Sequence, residues 1–398
     1  MARILHVIPY MHPWAGGPPV AVENFVREAS KRGYLSEIIS TSLFCDDNGS
    51  CLLKRLNALA PTTFLSDCGP FVLLNSTAKR QIAEGIRTAD IVHVHTLWNP
   101  INTLVRRECA RQRRPYVLMP HGMLDPYSLS VKRWRKALYL WAIERKNISS
   151  AQRLIYTTPE EARLATTKNS ISKGVVISLG ADAPSGSENL ASGFVARFPK
   201  ARGRRQLLFL GRLDFKKGLD RILRSLPSVV KAFPDVLLTI VGDGSLKFKE
   251  TLTRTITSQA LEKNVLLTGR LDGALKWGAY ASAELFLLPS RQENFAITVA
   301  EAMQMGVPVI ISNKVNTWPY VKDAGAGLVL DENEIEIQLE TGLLSLLAAP
   351  AQIELMGRSA RDYAWKNLTW PQATSCLLKC YDDVLSSFDR HWHRRERS

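Results

Sequence analysis

The stretch Pro289–Ile311, PSRQENFAITVAEAMQMGVPVII, decides the fold, and the apolar run ELFLL stands immediately before it. The pattern predicts a buried strand that ends where the stretch begins, a short helix over about Ala296–Met305, and a second strand directly afterwards. Gly306 is placed to cap the C-terminus of this helix, and Pro308 prevents the helix from continuing. Strand, polar loop, helix and strand form one βαβ unit, so we expect an α/β protein with a parallel sheet.

Two carboxylates of this unit, Glu293 and Glu301, are candidate ligand-binding groups. Glu293 lies in the loop at the carboxyl end of the first strand, where ligands bind in open α/β sheets, and Glu301 lies on the helix. The backbone N–H groups near Asn294, Phe295 and Ala296 open the helix, and its partial positive charge suits a phosphate. Ionised carboxylates only accept hydrogen bonds, so they suit a ligand with hydroxyls as well, such as a nucleotide-sugar. The alternative is a loop acid and an exposed helix acid without a ligand.

The length of 398 residues suits two domains, and a hydrophobic content of 45% is ordinary for globular proteins. The stretch 183–203 is rich in Ser, Gly, Ala and Pro, which predicts an interdomain linker. We therefore expect one α/β domain over 1–190 and another over 204–370. A terminal helix is expected over 371–390, and the tail HWHRRERS is expected to be disordered.

Targeting and redox features point to the cytoplasm. No apolar stretch is long enough to span a bilayer, and the N-terminal MARILHVIPY is typical of a first strand rather than a signal peptide. The six cysteines show no CxxC motif and no metal-type spacing with histidine. Because nothing implies disulfides, a reducing cytoplasm is the expected location.

The net charge of +15 is distributed unevenly along the chain. Residues 1–200 hold 26 Lys and Arg against 15 Asp and Glu, whereas residues 201–398 hold 26 against 22. The basic first half indicates an anionic partner, either nucleic acid or an anionic membrane surface. A nucleic-acid-binding protein would interleave its basic residues with aromatic stacking platforms. Trp134 and Trp141 instead follow a helical apolar period, so we do not expect nucleic acid as a partner.

The segment 130–146 is predicted to be one helix capped by Ser130, with apolar residues recurring at helical spacing. Such a helix can lie at a membrane surface, where its basic residues meet anionic lipid. The alternative is an ordinary surface helix with a solvated basic face. Its basic residues are Lys132, Arg133, Arg135, Lys136, Arg145 and Lys146.

Two strands of the first half carry candidate residues at or near their carboxyl ends. Gly16 and Gly17 follow the first strand and allow the backbone to approach a ligand closely, although they do not form the GxGxxG dinucleotide fingerprint. His93 and His95 alternate onto one face of a later strand. His95 is nearer the carboxyl end and is the candidate acceptor-side residue, whereas His93 is predicted to belong to the core. Zinc is not expected at this pair, because no third ligand is evident.

The second half carries candidate phosphate-binding residues at further strand ends. Arg212 follows the first strand of this half, and Lys217 precedes the next helix. Both can reach one pyrophosphate, the arginine by its planar fork and the lysine as a point charge. Gly242 begins a Gly-Asp-Gly turn that can pass near a nucleoside, and Arg270 stands at another strand end.

The segment that contains Glu293 and Glu301 resembles the E-x7-E segment of retaining GT-B glycosyltransferases, in particular glycosyltransferase family 4 (group 1). The pair Arg212 and Lys217 resembles the diphosphate clamp of that family. The likeness implies two Rossmann-like, doubly wound domains that face each other across a cleft. It also implies sugar transfer with retention of anomeric configuration from a UDP- or GDP-sugar, without a metal or another cofactor. Ala296 stands where the family usually has Gly.

The resemblance implies a role for each candidate residue. Glu293 would contact the transferred sugar and Glu301 the ribose, while the two glycines after the first strand would face the donor phosphates. Main-chain groups at Arg270 would hold the base. His121 directly follows a predicted strand and is similar to the family's histidine beside the donor sugar and the acceptor. A neutral imidazole there can hydrogen-bond a sugar hydroxyl.

The acceptor implied by the resemblance is a glycan or a lipid-linked sugar in polysaccharide assembly. Such an enzyme would be cytoplasmic and peripheral at the inner face of the plasma membrane. A nucleotide-sugar 2-epimerase of the same architecture is the alternative, and it would turn over its nucleotide-sugar without an acceptor. A non-catalytic nucleic-acid-binding protein is a third class, suggested only by the charge.

Overall fold

The chain divides into two compact units. Unit 1 comprises Met1–Leu179 and Trp370–Ser398, and unit 2 comprises Gly180–Thr369. At residues 389 and 391–395 the structure describes the backbone alone. The computed structural model describes residues 2–12, 16–43, 50–65, 75–165, 174–184 and 189–395.

The described part of unit 1 contains one sheet of seven strands, which are β1 (Arg3–Tyr10), β2 (Leu35–Thr41), β3 (Thr62–Leu65), β4 (Ile91–His95), β5 (Tyr116–Met119), β6 (Arg153–Tyr156) and β7 (Gly174–Val176). All pairs are parallel, and the spatial order is β3-β2-β1-β4-β5-β6-β7. The order changes direction between β1 and β4, as in doubly wound sheets. Strand β4 is buried at every residue, because helices cover both faces of such a sheet.

The helices of unit 1 connect these parallel strands. Four begin with a side-chain cap, for example Asn75, which accepts a hydrogen bond from the N–H of Ala78. In chain order they are α1 (Gly17–Ser30), α2 (Ser50–Asn57), α3 (Ser76–Thr88), α4 (Pro100–Gln112), α5 (Pro126–Ser130), α6 (Arg133–Tyr139), α7 (Arg145–Ser150) and α8 (Pro159–Leu164).

Unit 2 repeats this architecture on a six-stranded parallel sheet within the described residues. Its strands are β8 (Arg205–Leu210), β9 (Val236–Val241), β10 (Val265–Gly269), β11 (Leu285–Leu288), β12 (Val309–Ser312) and β13 (Gly327–Leu330). The spatial order is β10-β9-β8-β11-β12-β13, so the direction changes between β8 and β11. Its helices are α9 (Leu190–Arg197), α10 (Leu219–Ala232), α11 (Leu246–Ser258), α12 (Gly273–Ala281), α13 (Ile297–Gln304), α14 (Trp318–Ala324), α15 (Ile335–Leu347) and α16 (Pro350–Asn367).

The βαβ unit predicted from 289–311 is β11, α13 and β12. Phe286 of β11 pairs in parallel with Val309 of β12, as the pattern requires. Gly306 follows the helix with φ of 75°, which is the left-handed conformation expected of a residue that ends a helix. This unit therefore forms where the sequence predicted it, with the helix one residue shorter at each end.

The prediction of a linker over 183–203 is wrong for its described part. Residues 190–197 form helix α9, which packs against α12 inside unit 2. A Cβ atom on Gly278 of α12 would lie 2.5 Å from the carbonyl oxygen of Leu190, and Phe194 is fully buried. Gly278 of α12 thus permits a close helix contact, and the composition of the stretch 183–203 alone cannot distinguish a packed helix from a flexible connection.

The C-terminal helix, α17 (Trp370–Arg395), lies in unit 1 although it follows unit 2 in the chain. The Trp370 ring meets Phe25 of α1 edge-on at 5.6 Å, and Arg32 donates to the carbonyl of Pro371 at 2.8 Å. Helical structure continues to residue 395, so the disorder predicted for HWHRRERS is wrong for its first five residues.

The single helix predicted over 130–146 is interrupted. Asp125, and not Ser130, caps its first part by accepting from the N–H of Tyr127, and α5 ends at Ser130. Lys132 has a positive φ of 56°, so the helical path restarts with α6. A π-helical turn over Leu140–Glu144 then joins α6 to α7.

None of the described helices is long and apolar enough to cross a membrane. Four cysteines are free thiols, of which Cys109 and Cys380 are buried and Cys51 and Cys376 are exposed. The other two cysteines, at 45 and 68, lie outside the described residues.

Candidate active site

The switch point of the unit 2 sheet brings together two residues that lie 76 positions apart in the chain. Strands β8 and β11 are neighbours, so the loops at their carboxyl ends meet at the place where ligands bind in doubly wound folds. Lys217 from the first loop and Glu293 from the second form an ion pair with Nζ and Oε1 2.8 Å apart. Both side chains are largely buried, with 16% and 12% of their surface exposed.

Main-chain contacts hold these two loops against each other. Gly218 has φ of 77°, and a Cβ atom there would lie 2.1 Å from the carbonyl oxygen of Pro289. The N–H of Arg291 donates to the carbonyl of Lys216 at 2.8 Å. Gly218 is therefore fixed by loop packing, and the packing sets where Lys217 points.

The close approach of two main chains also explains why glycine is needed at Gly242. A Cβ atom at this position would lie 1.8 Å from the carbonyl oxygen of Gly211, and φ is 152°. The glycine is thus required where the loop after β9 crosses the loop after β8. Its predicted contact with a nucleoside stays a prediction.

The N-terminus of α13 is built as the sequence predicted, with one strained residue. Phe295 is buried and anchors the loop, while Asn294 and Ala296 are partly buried. Ala296 stands at the N-cap with φ of 55° and ψ of 73°, the left-handed region that glycine adopts without a penalty. The geometry explains why glycine suits this position.

Glu301 is held by two side chains that sequence reasoning missed. Lys276 donates to its Oε1 and the hydroxyl of Tyr280 donates to its Oε2, both at 2.8 Å. Both partners lie on α12, four residues apart and therefore on one face of the helix. That spacing was visible in the sequence, but the contact of α12 with α13 was not. The carboxylate keeps further lone pairs that can accept from a ribose.

Two more polar residues at this edge were missed. The backbone of Asn316 donates to the carbonyl of Glu293 at 3.1 Å, and the N–H of Glu293 donates to the carbonyl of Lys314 at 2.9 Å. The Asn316 side-chain nitrogen and the Thr317 hydroxyl are buried, and neither has a hydrogen-bond partner within the described residues. Both follow the end of β12, which was the signal that could have indicated them.

Arg212 and Arg270, the remaining donor-binding candidates of unit 2, are exposed. Arg270 forms an ion pair with Asp272, with Nε and Oδ2 3.2 Å apart. Their contacts with a diphosphate and a base therefore stay predictions.

The switch point of unit 1, between β1 and β4, carries the candidates Gly16 and Gly17. Both are exposed, and a Cβ atom on either would meet no heavy atom of the described residues within 4 Å. Gly16 has φ of 83° and precedes α1. The open space agrees with a ligand approaching this loop, and the ligand itself stays a prediction.

His121 and His95 are in contact, as their common sheet edge allows. Nδ1 of His95 and Nε2 of His121 lie 3.1 Å apart. Burial lowers the pKa of His121 to about 3, although part of the residue reaches the surface, so its imidazole is neutral near pH 7. His121 has φ of 53°, and the adjacent Gly122 N–H donates to the buried carboxylate of Glu161 at 2.5 Å.

Backbone strain at the same edge marks two residues that the sequence did not indicate. Thr96 and Trp98 follow β4 and have φ values of 67° and 66°. The N–H of Trp98 donates to Glu144, a buried carboxylate in the π-helical turn, at 2.9 Å. Strained, over-determined loops and π-helical turns concentrate at functional sites. The edge formed by β4 and β5 is therefore the candidate site of unit 1.

The expectation that His93 and His95 lack a third metal-type ligand is wrong. His6 of β1 pairs in register with His93, and ring nitrogens of His6, His93 and His95 all lie within 4.8 Å of one another. His93 is in the core as predicted, but His95 is equally buried. The sequence could not show this grouping, because β1 and β4 are separated by two other strands along the chain.

The segment 127–141 exposes an apolar face. Tyr127, Val131, Trp134, Leu138 and Trp141 are 40%, 50%, 81%, 65% and 69% exposed. Most of the basic residues predicted around it are exposed as well. Lys136 is the exception, because its Nζ donates to the carbonyl of Ser128 and lies 5.6 Å from the centre of a Trp98 ring.

Two family models match this chain and together cover most of it. The model "Glycosyl transferases group 1" matches residues 194–363, and "Glycosyltransferase Family 4" matches residues 15–185. The first match contains the switch-point loops of unit 2, and the second contains His93, His95, His121 and the strained loop after β4.

Two relatives illustrate the range of similarity. A "GDP-mannose-dependent alpha-mannosyltransferase" of Mycolicibacterium smegmatis is 33% identical over 183 residues, which are 46% of this chain and 44% of that protein. The chain thus spans less than half the length of that curated relative. A "GDP-mannose:cellobiosyl-diphosphopolyprenol alpha-mannosyltransferase" of Xanthomonas oryzae pv. oryzae is 23% identical over 388 residues, covering 96% of this chain and 97% of that protein.

A solved structure shares the fold over almost the whole chain. HepE of Anabaena, crystallised with UDP and glucose, aligns with a TM-score of 0.76 and 16% identity over 96% of this chain and 100% of HepE. At this identity the likeness concerns the fold alone. It confirms the GT-B fold with two Rossmann-like domains that the sequence predicted.

Proposed function

This chain belongs to the group 1 glycosyltransferases of glycosyltransferase family 4, and we propose that it moves a sugar from a nucleotide-diphosphate sugar to a glycan or lipid-linked acceptor. The observation that carries the proposal is the ion pair of Lys217 with Glu293 at the switch point of unit 2. A buried cation beside a carboxylate offers a phosphate-binding charge and a hydroxyl-binding group in one place. A diphosphate-linked sugar requires both.

Donor binding exchanges the partner of Lys217. A diphosphate that enters the switch point takes the lysine as its counter-ion, and the Glu293 carboxylate is released to accept from hydroxyls of the transferred sugar. Arg212 is exposed at the end of β8 and can fold over the same diphosphate with its planar fork. Glu301, already oriented by Lys276 and Tyr280, is placed to accept from the ribose.

The same groups stabilise the leaving group during transfer. Negative charge develops on the diphosphate as the bond to the sugar breaks, and positive groups fixed beforehand stabilise that charge most strongly. Lys217, Arg212 and the N–H groups that open α13 supply these charges without a metal ion. In this proposal no residue acts as a covalent nucleophile. The leaving phosphate itself takes up the proton of the acceptor hydroxyl.

Retention of configuration and a GDP-sugar donor are supported by the relatives. Both named mannosyltransferases use GDP-mannose and make alpha products. GDP-mannose is itself an alpha-mannoside, so an alpha product keeps the configuration. UDP remains the alternative donor base, since HepE was crystallised with UDP.

A lipid-linked acceptor is supported by the Xanthomonas relative, whose acceptor is a diphosphopolyprenol. The exposed apolar face of the segment 127–141 provides a means of reaching such an acceptor at a membrane. Exposed basic side chains flank the aromatic ones, which favours an anionic surface.

Assays with purified protein and a panel of UDP- and GDP-sugars test the function. Each donor is offered with and without a sugar linked to polyprenyl diphosphate, and the product anomer is read by NMR. We expect transfer that requires acceptor and retains configuration. Conversion of the donor without acceptor would identify an epimerase. An inverted product would refute retention, and no turnover together with no thermal stabilisation by UDP or GDP would refute the donor site.

Two variants test the diphosphate clamp. Lys217→Ala and Arg212→Ala are each expected to lower kcat/KM by at least about 30-fold, equivalent to about 2 kcal/mol of transition-state stabilisation. Lys216→Ala is the matched control, because it removes a neighbouring positive charge. Equal, small losses of kcat/KM in all three variants would show that the diphosphate does not bind at Lys217 and Arg212.

A further inference from the structure

The centre of the unit 1 sheet holds three histidines that the transfer mechanism does not use for substrate. His6 on β1 and His93 and His95 on β4 project from one face of these two neighbouring strands. Nδ1 of His6 lies 3.1 Å from Nε2 of His95, and the rings of His93 and His95 are tilted by 31° with centroids 3.9 Å apart. We propose that these three histidines bind one divalent transition-metal ion of the zinc class.

The spacing of the ring nitrogens suits such an ion. Zinc binds imidazole nitrogen at about 2.0–2.1 Å, so two nitrogens on one tetrahedral ion stand about 3.3 Å apart. One nitrogen from each ring lies within 4.8 Å of the other two, and the closest measured pair is at 3.1 Å. Small side-chain rotations therefore complete the geometry. In the described part of the chain this is the one group of three such residues.

The outer hydrogen bonds orient two of the ligands. Nδ1 of His93 lies 2.6 Å from the hydroxyl of Tyr381, and Nδ1 of His95 lies 3.1 Å from Nε2 of His121. If each Nδ1 donates outward, each Nε2 keeps a lone pair that points into the cluster. Metal-bound histidines commonly have an outer hydrogen-bond partner of this kind, which fixes the tautomer and the ring orientation.

His93 supplies a second and independent observation. Its Nε2 is fully buried and has no hydrogen-bond partner within the described residues. A buried polar atom without a partner carries a desolvation cost, which an ion or an ordered water removes.

The choice of ion class follows from the donors. Three neutral imidazoles without a carboxylate favour zinc, copper, nickel or iron over magnesium or calcium. The three ligands are at most 1% exposed, so the ion would be structural and would tie β1 to β4 directly beneath the switch point. A water would complete the coordination. The three proposed ligands belong to unit 1, whereas Lys217, Arg212 and the N-terminus of α13 belong to unit 2.

Ordered water is the competing occupant. The hydroxyls of Ser36, Ser40 and Thr374 in unit 1 are also buried, and none has a partner within the described residues. Waters could satisfy these groups together with His93. Metal analysis separates the two explanations. A metal site binds zinc with one-to-one stoichiometry, whereas a cluster of ordered waters binds none.

The test measures metal content and metal-dependent stability of the full-length protein. Protein purified without chelator or metal-affinity resin is expected to contain about one transition-metal ion per chain. After removal of the ion by chelator under mild denaturation, Zn²⁺ should raise the melting temperature, because an ion that binds only the folded state stabilises it. Co²⁺ should give the visible absorption bands of a tetrahedral site.

Variants locate the ion. His6→Gln and His93→Gln should abolish the Zn²⁺-dependent shift, and Tyr381→Phe should weaken Zn²⁺ binding by about 10–100-fold while all three ligands remain. His12→Gln is the matched control outside the cluster and should keep full binding. Wild-type protein that contains no metal and whose melting temperature does not respond to Zn²⁺, Co²⁺ or Ni²⁺ would overturn the proposal. Stoichiometric binding that survives in both ligand variants would also overturn it.

Discussion

At the scale of single residues, the ion pair of Lys217 and Glu293 keeps two buried charges paired before any donor arrives. A buried charge left without a partner destabilises a protein strongly, whereas a pair with good geometry is tolerated. These two proposed donor-binding groups therefore stabilise each other in the ligand-free protein. A diphosphate that replaces the carboxylate keeps Lys217 paired, and the released Glu293 carboxylate then depends on hydrogen bonds from sugar hydroxyls.

Glu293→Gln and Glu301→Gln are expected to act differently. Glu293 is paired with Lys217 at the switch point and is proposed to contact the transferred sugar, so its replacement should lower kcat strongly. Glu301 is fixed on α13 by Lys276 and Tyr280 and is proposed to contact the ribose, so its replacement should mainly raise the donor KM. Steady-state kinetics with varied donor separates the two effects. Equally small changes in kcat/KM would contradict both assignments.

Ala296→Gly is expected to stabilise the protein. Ala296 has φ of 55°, where a side chain costs about 1 kcal/mol relative to glycine. Denaturant unfolding should therefore show a free energy of unfolding about 1 kcal/mol higher, with transfer activity retained.

Gly325→Ala is the control, and it is expected to change the free energy of unfolding in the opposite direction. Gly325 has φ of 59°, and a Cβ atom there would meet nothing within 4 Å, so only the backbone penalty is introduced. A loss of about 1 kcal/mol is expected. No gain in Ala296→Gly beside a clear loss in Gly325→Ala would show that the loop at Ala296 is not strained.

At the scale of elements, the interrupted helix over 126–150 carries one group of buried side chains and one group of exposed side chains. Glu144 and Asn147 face inward and hydrogen-bond each other, while Trp134, Leu138 and Trp141 face outward. The π-helical turn changes the side-chain spacing between the two groups. The three outward side chains are therefore exposed, and no described residue buries them.

Liposome flotation is expected to show binding through this face. Each basic residue near an anionic surface contributes about 1 kcal/mol, so binding should require anionic lipid and weaken with salt. The triple substitution Lys132→Glu, Arg133→Glu and Arg135→Glu should abolish flotation. Lys136 is left unchanged because it packs inside the unit.

The matched control places the same charge change on unit 2. Lys231, Lys247 and Lys263 are exposed and lie on or beside helices of that unit. Their replacement by Glu should leave flotation intact. Equal flotation of the wild type and the first triple variant would show that the exposed face does not bind membranes.

At the scale of the whole molecule, each unit presents its candidate residues at strand ends at or beside the switch point of its own sheet. In unit 2 Lys217 and Glu293 follow β8 and β11, and in unit 1 Gly16, His95 and His121 lie at the ends of β1, β4 and β5. The arrangement follows from strand order, because helices on opposite faces leave a crevice where the order changes direction. One architectural rule thus places both candidate sites.

Transfer is expected to proceed in EDTA without added Mg²⁺. The proposed clamp on the diphosphate consists of Lys217, Arg212 and the N-terminus of α13, so no ion is needed to neutralise the leaving group. Initial rates with and without EDTA test this expectation in the protein as purified. Loss of activity that Mg²⁺ restores would contradict the metal-free clamp.

The sequence by itself determined the βαβ unit over 285–312. Apolar runs, Gly306 and Pro308 indicate where β11, α13 and β12 begin and end, because strand and helix periods and end signals are local properties. It also indicated Lys217 and Glu293, which lie in loops at strand ends, and Glu301, which lies on the helix that follows Glu293. These predictions needed only short-range pattern and chemistry.

Only the tertiary structure decided which distant residues meet. It paired Lys217 with Glu293, oriented Glu301 by Tyr280, and placed His6 beside His93. It also made a packed helix of a stretch whose composition predicts a linker. The physical reason is that strand order and helix packing are set by burial of the whole core, and local spacing does not encode which strand end adjoins which.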